Sequence, residues 1–395
     1  MTLTAGCRAR LGTSSVLFFV AATLLAAATS TTAISGPADT GALQPATRLT
    51  PPLRSFSLVA TGDVLTENAV NAAASSLALG TAARYDFAPL FAPISEMISS
   101  ADIAICHMEL PVGRPGERAG IYGSSTFGGN LLLAPYEIAA GLRRAGFDRC
   151  STASNHSNDL DEAGIDSTLA ALDAAGLSHV GTARDPAEAA AATSTLIVNG
   201  VRVAHLSYTR HSNTTLPAAP WRVNFAASPA QVAADVATAR THGAEVVIVS
   251  LHIFQELLPA PLPEDRQFVT DLTALTHIDL VVEHGPHVVQ PVEKVNGTWV
   301  YWSVGNLISG MGTPGRKVFA DPRTLDELAA TARFTETSPG VFAVVPWPVL
   351  LCNEPVSRLV YAPITTLADP SLSPGVRAEL QACIDRTTPL VPDAH

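Results

Sequence analysis

The sequence predicts an α/β fold, in which short apolar strands alternate with helices. The alternation runs from Phe56 to about Ser309 and is followed by a looser, Pro-rich pattern beyond Gly310. A chain of 395 residues that is 47% hydrophobic and only 15% charged can bury the large core that such a fold requires. We therefore expect an open α/β sheet with helices packed on its faces.

Five predicted strands end near polar residues of types that bind metal. They are Asp63 after Phe56–Ala60, Glu109 after Ile103–Cys106, Asn155 and His156 after Cys150, His252 after Val246–Leu251, and His284 and His287 after Leu280–Val282. In an open α/β sheet, ligands collect outside the carboxyl ends of the strands, so residues far apart in sequence can meet there. This edge of the sheet is the candidate active site.

The remaining elements follow from spacing and from helix stop signals. Ile165, Leu169 and Leu172 recur at helical spacing, and Gly176 is placed to end that helix. Val201–Tyr208 is predicted as a strand, Pro229–His242 as a helix that leads into the next strand, and Thr298–Val304 as a late strand. His205, a lone histidine within an apolar strand, is interpreted as a hydrogen-bonded core residue.

The charge balance argues against a nucleic-acid partner. The chain has a net charge of −11, contains 24 Lys and Arg residues in total, and has no basic run. Proteins that bind nucleic acid need clustered cations to neutralise phosphates. An acidic chain also repels a polyanion at long range, so any contact with an anionic polymer has to be local.

The N-terminus has the pattern of a secretory signal, which we place at residues 1–33. Arg8 and Arg10 precede the apolar run Val16–Ala28, and small residues follow. A run of that length is shorter than the roughly 20 residues of a spanning helix. The alternative is an uncleaved anchor, which would be the protein's only attachment to a membrane. Residues 34–53 are interpreted as a flexible linker.

The cysteine count agrees with export. Beyond the signal segment there are four cysteines, an even number that permits two disulfides in three possible connectivities. We favour Cys106 with Cys150, because both stand beside proposed ligand loops, and Cys352 with Cys383, which would attach the C-terminal tail. The alternative is four reduced, buried thiols.

Several motifs in this chain resemble those of the CapA family of poly-γ-glutamate capsule-synthesis proteins. They are TGDVLTENAV, ADIAICHMELPVG, GFDRCSTASNHSNDLDEAGIDSTLAALDAAGLSHVGTAR, VVIVSLH and DLVVEHGPHVVQPVEKVNGTWVYWSVGN. The similarity runs from about Ser57 to Asn306 in the family's order, and the two motif cysteines resemble a secreted branch. It implies a four-layer α-β-β-α sandwich of the metallo-dependent phosphatase type, as in calcineurin-like phosphoesterases. The family domain is placed at residues 54–312, with 313–395 as a C-terminal extension packed on it.

The resemblance also implies a metal site and roles for its residues. By position in the family motifs, the metal ligands would be Asp63, Glu109, Asn155, His252 and His287, and His156 would be the catalytic general acid. His284, offset by one residue from the motif position, is added to the candidate ligands. Asp159 would orient His156 through a hydrogen bond. Carboxylates with neutral imidazoles suit divalent Mn, Zn or Fe, and a carboxylate between two ions can bridge them, so two ions are possible.

Three departures from the family pattern concern the ligands. The usual His-Trp-Gly after the central strand is His252-Ile253-Phe254, and the first histidine of the His-x-His pair is Gly285. Either this site has lost one imidazole or His284, offset by one residue, has taken over the role. His107 replaces the family's Asn and is either an added ligand or a neutral replacement.

The expected function is that of a secreted, cell-envelope-associated protein of poly-γ-glutamate or envelope polymer biosynthesis or processing, working as a metal-dependent hydrolase. Its partner would be an anionic polymer or another envelope substrate. The alternative is a non-catalytic envelope polymer-binding protein that retains the fold with a degraded metal site.

Overall fold

The structure is a computed structural model that describes residues 53–253, 255–313, 315 and 319–391. The predicted signal segment, and the linker apart from Leu53, lie outside these residues. Among the described helices, none has both the length and the apolar character needed to cross a membrane.

The strands form two large sheets and one hairpin. In chain order they are β1 (Ser55–Val64), β2 (Ile103–His107), β3 (Gly120–Ser124), β4 (Asn130–Leu133), β5 (Arg149–Ser151), β6 (Ser178–Val180), β7 (Leu196–Val198), β8 (Val201–Thr209), β9 (Val246–His252), β10 (Leu280–His284), β11 (Val292–Val295), β12 (Thr298–Tyr301), β13 (Asn306–Ile308), β14 (Asp326–Ser338), β15 (Val341–Pro346), β16 (Val349–Asn353) and β17 (Val360–Tyr361). The first sheet has the order β17-β16-β14-β1-β2-β5-β6, with β13 paired to β1 and β15 to β14. The second has the order β11-β12-β10-β9-β8-β7, and β3 pairs with β4.

The helices occupy the connections between strands. They are α1 (Asn68–Leu77), α2 (Ala88–Phe91), α3 (Ser95–Ser99), α4 (Glu137–Ala145), α5 (Asp161–Ala175), α6 (Pro186–Ala191), α7 (Pro229–Thr241), α8 (Pro263–Leu275), α9 (Pro363–Thr366) and α10 (Pro374–Thr387), with 3₁₀ turns at Ala92–Ile94 and Pro322–Leu325. Two predicted helices are confirmed. Helix α5 ends at Gly176, which has a φ of +75°, and α7 begins after Ser228, whose hydroxyl accepts from the Gln231 amide at 3.3 Å.

The two sheets pack face to face, with helices on their outer faces. The central core joins residues of the first sheet, such as Phe56 and Ile103, to residues of the second, such as Val203 and Ile248. A second core packs the early helices on the first sheet, and a third packs α7 and α8 on the second. The predicted four-layer α-β-β-α sandwich is confirmed. Because both faces of each sheet are covered, central strands such as β2 and β9 are buried along their whole length.

The segment after residue 312, predicted as an extension packed on the domain, supplies strands to the first sheet. Strand β14 lies between β1 and β16 and pairs antiparallel with β1 from Ser55 opposite Thr335 to Ala60 opposite Ala330. Its sequence mixes buried acids, Asp326 and Glu327, with Ala and Thr. Strand β14 is therefore hard to predict from the sequence, because it lacks the continuous apolar run of the other buried strands.

Both favoured disulfides are present. Cys106 and Cys150 join β2 to its parallel neighbour β5 at directly paired positions, with 4.5 Å between Cα atoms. Cys352 and Cys383 join β16 to α10, with 6.3 Å between Cα atoms. The first bridge therefore links two strands that lead into the candidate site, and the second attaches the C-terminal helix to the sheet.

Replacing Cys106 and Cys150 together by Ala should lower the free energy of unfolding by about 3–4 kcal/mol. The bridge spans 44 residues and restricts the unfolded chain. The Cys352 and Cys383 pair, 31 residues apart, is the matched comparison and should cost a similar amount. Urea unfolding of the non-reduced protein measures both, and mass mapping checks the bonds. Free thiols at Cys106 and Cys150 in exported protein would contradict the pairing.

Candidate metal and catalytic site

The candidate site lies where the carboxyl ends of the parallel strands meet. Strand β1 pairs with β2 so that Asp63 stands opposite His107, and β10 pairs with β9 so that His284 stands opposite His252. The register therefore sets four of the polar strand ends at one edge of the sandwich. Sequence-distant residues converge here because parallel strands present the same end to the same side.

Asp63 is the centre of this cluster and is fully buried. Its Oδ2 accepts from the backbone amide of Gly285 at 3.1 Å and lies 3.0 Å from His287 Nδ1. Its Oδ1 lies 3.6 Å from His284 Nδ1 and 3.8 Å from His107 Nε2. One carboxylate thus faces three imidazoles contributed by two sheets.

Glu109 lies on the other side of the cluster. Its Oε1 is 3.9 Å from His287 Nε2 and 4.0 Å from His156 Nε2. The loop that carries it is fixed by Ser154, whose hydroxyl donates to the Glu109 carbonyl at 2.6 Å. The loops after β2 and β5 are therefore tied together beside the site.

The tautomer of His287 is set by Asn306. The Asn306 side-chain amide donates to the Thr324 carbonyl at 2.9 Å, so its oxygen faces His287 Nδ1, also at 2.9 Å. Nδ1 therefore carries a proton that it shares with Asn306 and Asp63. The other ring nitrogen, Nε2, faces Glu109 and would be the atom that binds a metal, with the imidazole held through Nδ1.

Two candidate donor groups in the described part of the chain share Asp63, and a third, Asp326 with Cys352 and Cys383, is excluded because its cysteines are bonded to each other. One consists of Asp63, His107 and His284, and the other of Asp63, Glu109 and His287. In each group one donor atom per residue lies within 4.8 Å of the others. A carboxylate common to both groups is placed to bridge two ions.

The donor atoms fit a cation because several have no other partner. Among the described residues, Asp63 Oδ1, both carboxylate oxygens of Glu109, both ring nitrogens of His284 and the side-chain oxygen of Asn155 are buried without a hydrogen bond. Buried polar atoms without partners are rare and costly. Carboxylate and amide oxygens with imidazole nitrogens form a donor set suited to divalent first-row metals.

Electrostatics in the cluster follow from burial and from close charges. Burial alone would raise the pKa of Asp63, but its interactions with His284 and His287 outweigh this and hold that pKa well below the ordinary range. Burial, reinforced by the Asp63 charge, raises the pKa of Glu109 to about 8. Asp63 is therefore ionised while the charge on Glu109 is disfavoured, and a bound cation would stabilise the ionised form of both.

His156 and Asp159 form a separate pair beside the cluster. His156 Nδ1 lies 2.6 Å from Asp159 Oδ2, which also accepts from the Leu132 amide at 2.7 Å. Burial acts to lower the pKa of His156, but the hydrogen bond to Asp159 outweighs it and the pKa is raised. The predicted orienting contact is present, and it leaves His156 Nε2 facing the Glu109 side.

Asn155, predicted as a ligand, lies next to this pair. Its side-chain nitrogen donates to Asn213 Oδ1 at 3.2 Å, so its oxygen is turned away from Asn213. Asn213, in the loop after β8, also places its amide nitrogen 3.3 Å from the His156 ring nitrogens. No motif marks Asn213 in the sequence, apart from its position after another strand that ends at this edge.

His252 reaches the cluster but belongs to neither donor group. Its Nδ1 lies 3.0 Å from His107 Nε2, and burial, only partly opposed by the Asp63 charge, lowers its pKa to about 3. By contrast, His205 is fully buried away from the donors, between Arg149 at 3.2 Å and Ser250 at 2.9 Å. That position agrees with the core role expected for it.

Gly285 cannot be replaced by a ligand without moving the backbone. Its φ is +102°, and a Cβ built on it would lie 1.8 Å from the Ile253 carbonyl oxygen. His284, the last residue of β10, instead directs its ring to Asp63. Of the two alternatives left open by the sequence, the geometry favours the one in which His284 has taken over the role.

A cavity of about 630 Å³ opens beside these residues. His156, His287, Asn155 and Asn213 are among the residues that line it. Apolar side chains form much of the rest, among them Ile121 and Phe127 from the β3–β4 hairpin region. The arrangement gives a substrate access to the metal-ligand side and to the His156 ring together.

Comparison with known proteins agrees with these observations. The family model described as "Bacterial capsule synthesis protein PGA_cap" matches residues 57–311, well over half of the chain. The "PGA biosynthesis protein CapA" of Bacillus subtilis (strain 168) is 28% identical over 218 residues, covering 53% of this chain and 54% of that protein. The "Capsule biosynthesis protein CapA" of Bacillus anthracis is 24% identical over 222 residues, covering 54% and 51%. The chain thus spans about half the length of these relatives.

Among solved structures, the calcineurin-like phosphoesterase YfkN of Bacillus subtilis is similar with a TM-score of 0.43 at 14% identity. The match covers 86% of this chain and all of that one. The family match covers well over half of the chain and includes Asp63, Glu109, His252 and His287, and it shows that this chain belongs to the bacterial capsule synthesis PGA_cap family.

Proposed function

We propose that the protein is a secreted, metal-dependent hydrolase that acts in the biosynthesis or processing of poly-γ-glutamate or another cell-envelope polymer. The observation that carries the proposal is the pair of donor groups that share Asp63, with buried donor atoms that lack other partners. The motif-derived residues that would hold the ions are Asp63, Glu109, Asn155, His252, His284 and His287. Of these, Asp63, Glu109, His284 and His287 lie in the two donor groups, and Asn155 and His252 lie beside them. The donor set supports Mn, Zn or Fe.

The chain's own residues supply the proton chemistry. His156 is kept protonated by Asp159, which holds Nδ1 and leaves Nε2 to give a proton to the leaving group. The Leu132 amide donates to Asp159 and fixes the carboxylate that holds the His156 ring. When bound, divalent ions would polarise the scissile group and lower the pKa of water.

The substrate class rests on the relatives and on charge. The two Bacillus relatives are named for capsule and PGA biosynthesis, which supports an anionic envelope polymer as the partner. Because this chain itself carries a net charge of −11, we infer that such a polymer is held locally and with the help of metal charge, and that nucleic acid is not a partner.

Export is supported by two features. The N-terminal pattern is that of a signal segment, and two disulfides persist in oxidising compartments rather than in the cytosol. We infer that the protein works outside the cytoplasmic membrane, in association with the cell envelope. Attachment to the membrane would come only from the N-terminal segment where it is left uncleaved.

A second candidate is a non-catalytic polymer-binding protein with a degraded metal site. Gly285 favours it, because the backbone at this position has no room for the imidazole that the family motif carries. The two candidates differ in metal content. A hydrolase of this design should bind two equivalents of metal, and the binding protein should bind none.

Replacing Asp63 by Ala should remove both ions, because both donor groups lose their shared carboxylate. We expect affinity for Mn²⁺ to fall by more than about 100-fold, and any hydrolysis of phosphodiester or γ-glutamyl substrates to fall with it. Titration calorimetry and elemental analysis of the same sample measure the loss. The control is His205→Gln, in which a buried histidine outside both groups is changed and two equivalents should remain. Full metal occupancy in Asp63→Ala would show that the site is assigned wrongly.

Replacing Gly285 by His should not raise metal affinity and should destabilise the fold. The new Cβ would overlap the Ile253 carbonyl, and a φ of +102° strains any side chain. We expect a loss of about 2–5 kcal/mol in unfolding free energy. His284→Ala, in contrast, should fold and lose affinity for at least one ion. Calorimetric titration measures the metal affinity of both variants, and thermal unfolding measures their stability. If Gly285→His were stable and bound metal more tightly than wild type, the site would instead have lost a ligand at position 285.

A further inference from the structure

The cavity beside the candidate site has an apolar wall next to the general acid. Leu132 lines the cavity, and its backbone amide donates to Asp159 at 2.7 Å. Asp159 in turn holds the His156 ring, with 2.6 Å between Oδ2 and Nδ1. Leu110, another lining residue, directly follows Glu109 in the chain. Aliphatic side chains therefore adjoin the residues that would carry out the reaction.

The β3–β4 hairpin extends this wall with side chains that are largely exposed. Ile121 and Phe127 both line the cavity and are 54% and 64% exposed. The hairpin is attached to the loops of the site, because the Ser125 hydroxyl donates to the Asn213 carbonyl and the Asn213 amide donates to the Asn155 carbonyl at 2.8 Å. Large apolar side chains left exposed beside a cavity are typical of a ligand-binding site.

The charged side chains of this wall are acidic. Among the lining residues that the structure describes, none is a lysine or an arginine, and Glu67 and Glu256 contribute carboxylates. The two lining histidines, His156 and His287, belong to the catalytic and metal-binding residues. An anionic group elsewhere in the cavity would meet carboxylates rather than cations, and like charges repel. The cavity wall therefore favours an uncharged occupant.

We propose that the cavity binds an uncharged, mainly aliphatic leaving group of the substrate. The proposal rests on the hydrolase of the proposed function and adds to it the chemical class of the group that the reaction releases. The anionic part of such a substrate would lie on the metal side of the cleaved bond. Ile121 and Phe127 would then determine specificity for the released group.

The position of the wall next to His156 decides which part of the substrate it contacts. In hydrolysis the oxygen of water forms the new bond to the attacked centre, and the bond to the leaving oxygen breaks with its electron pair. The proton of His156 goes to that oxygen, and one proton of the water is released to solvent. The leaving oxygen therefore lies beside His156, and the group attached to it extends along Leu132 and the hairpin.

The competing arrangement is an anionic polymer chain that runs through the cavity. A volume of about 630 Å³ is within the usual range of ligand sites, so the cavity holds more than the group at the metal. A γ-linked glutamate chain would bring a carboxylate into it with every residue. The two arrangements thus differ in whether methylenes or carboxylates strengthen binding.

The experiment measures binding of methyl phosphate, hexyl phosphate, glutamate and tri-γ-glutamate to the full chain by titration calorimetry, with Mn²⁺ and again with EDTA. Each buried methylene strengthens binding by about fourfold. With Mn²⁺ we expect hexyl phosphate to bind at least about 100-fold more tightly than methyl phosphate. Tri-γ-glutamate should bind no more tightly than glutamate. In EDTA both phosphates should bind less tightly, but hexyl phosphate should remain the tighter ligand.

Variants of the wall locate this effect. Ile121→Ala and Phe127→Ala should each weaken hexyl phosphate by about tenfold and leave methyl phosphate unchanged. Leu79→Ala is the matched control, because Leu79 is 82% exposed and does not line the cavity. Glu256→Gln should strengthen tri-γ-glutamate and leave hexyl phosphate unchanged. Thermal unfolding confirms that each variant is folded.

The outcomes separate this proposal from the hydrolase on which it rests. Equal binding of methyl and hexyl phosphate to the Mn²⁺-loaded protein would overturn the apolar site and leave the metal centre intact. Absence of bound metal, measured by elemental analysis of the same sample, would overturn the hydrolase instead.

A last pair of substitutions tests the anionic alternative directly. Arg316 and Lys317 follow the lining residue Gly315 in the sequence and lie outside the described residues. We expect Arg316→Ala combined with Lys317→Ala to leave the ratio of the two phosphate affinities unchanged. If tri-γ-glutamate bound more tightly than glutamate and this double variant abolished the difference, the cavity would take an anionic chain and the proposal would be wrong.

Discussion

The whole site depends on two buried carboxylates that share one low-dielectric region. Asp63 and Glu109 are both fully buried and belong to one donor group in which the donor atoms lie within 4.8 Å of one another. Two unit charges about 4 Å apart repel by about 4 kcal/mol at an effective dielectric constant of 20. Burial, reinforced by this repulsion from Asp63, raises the pKa of Glu109 to about 8, so without positive charge nearby the Glu109 carboxyl takes up a proton. The surrounding imidazoles are placed to supply positive charge to these acids, as a bound cation would.

The fold brings the acids together through close backbone contacts that only small residues permit. A Cβ on Gly62 would lie 2.1 Å from the Gly305 carbonyl, the same carbonyl that accepts from the Asp63 amide at 3.0 Å. Glu327, on β14, accepts from the Gly62 amide at 2.7 Å. The C-terminal part of the chain therefore packs and pairs directly against the strand that carries Asp63.

Much of this architecture could be predicted from strand pattern, because a buried strand with a polar residue at its carboxyl end leaves a clear signal. The strands ending near Asp63 and His252 and the pairing of Cys106 with Cys150 follow such signals. Strand β14 does not, because its inward-facing acids and threonines interrupt the apolar pattern. No local sequence pattern predicts that Asn213 belongs to the site, because it reaches His156 only through the path of the loop after β8.

The ligand set itself was the hardest feature to predict, because a turn rather than a motif determines it. His287 has a φ of +58° and Gly285 a φ of +102°, so the chain reverses sharply after β10. This turn directs His284 and His287 to opposite oxygens of Asp63, while the Gly285 amide donates to the carboxylate from between them. A histidine at position 285 would need a different turn and would displace that amide. The motif histidine that is missing at position 285 is therefore best explained by a different turn. In this turn the Gly285 N–H and the His284 ring occupy one side of Asp63. The sequence shows which histidines are present near this turn. Which of their rings can face Asp63 depends on the backbone angles of the turn.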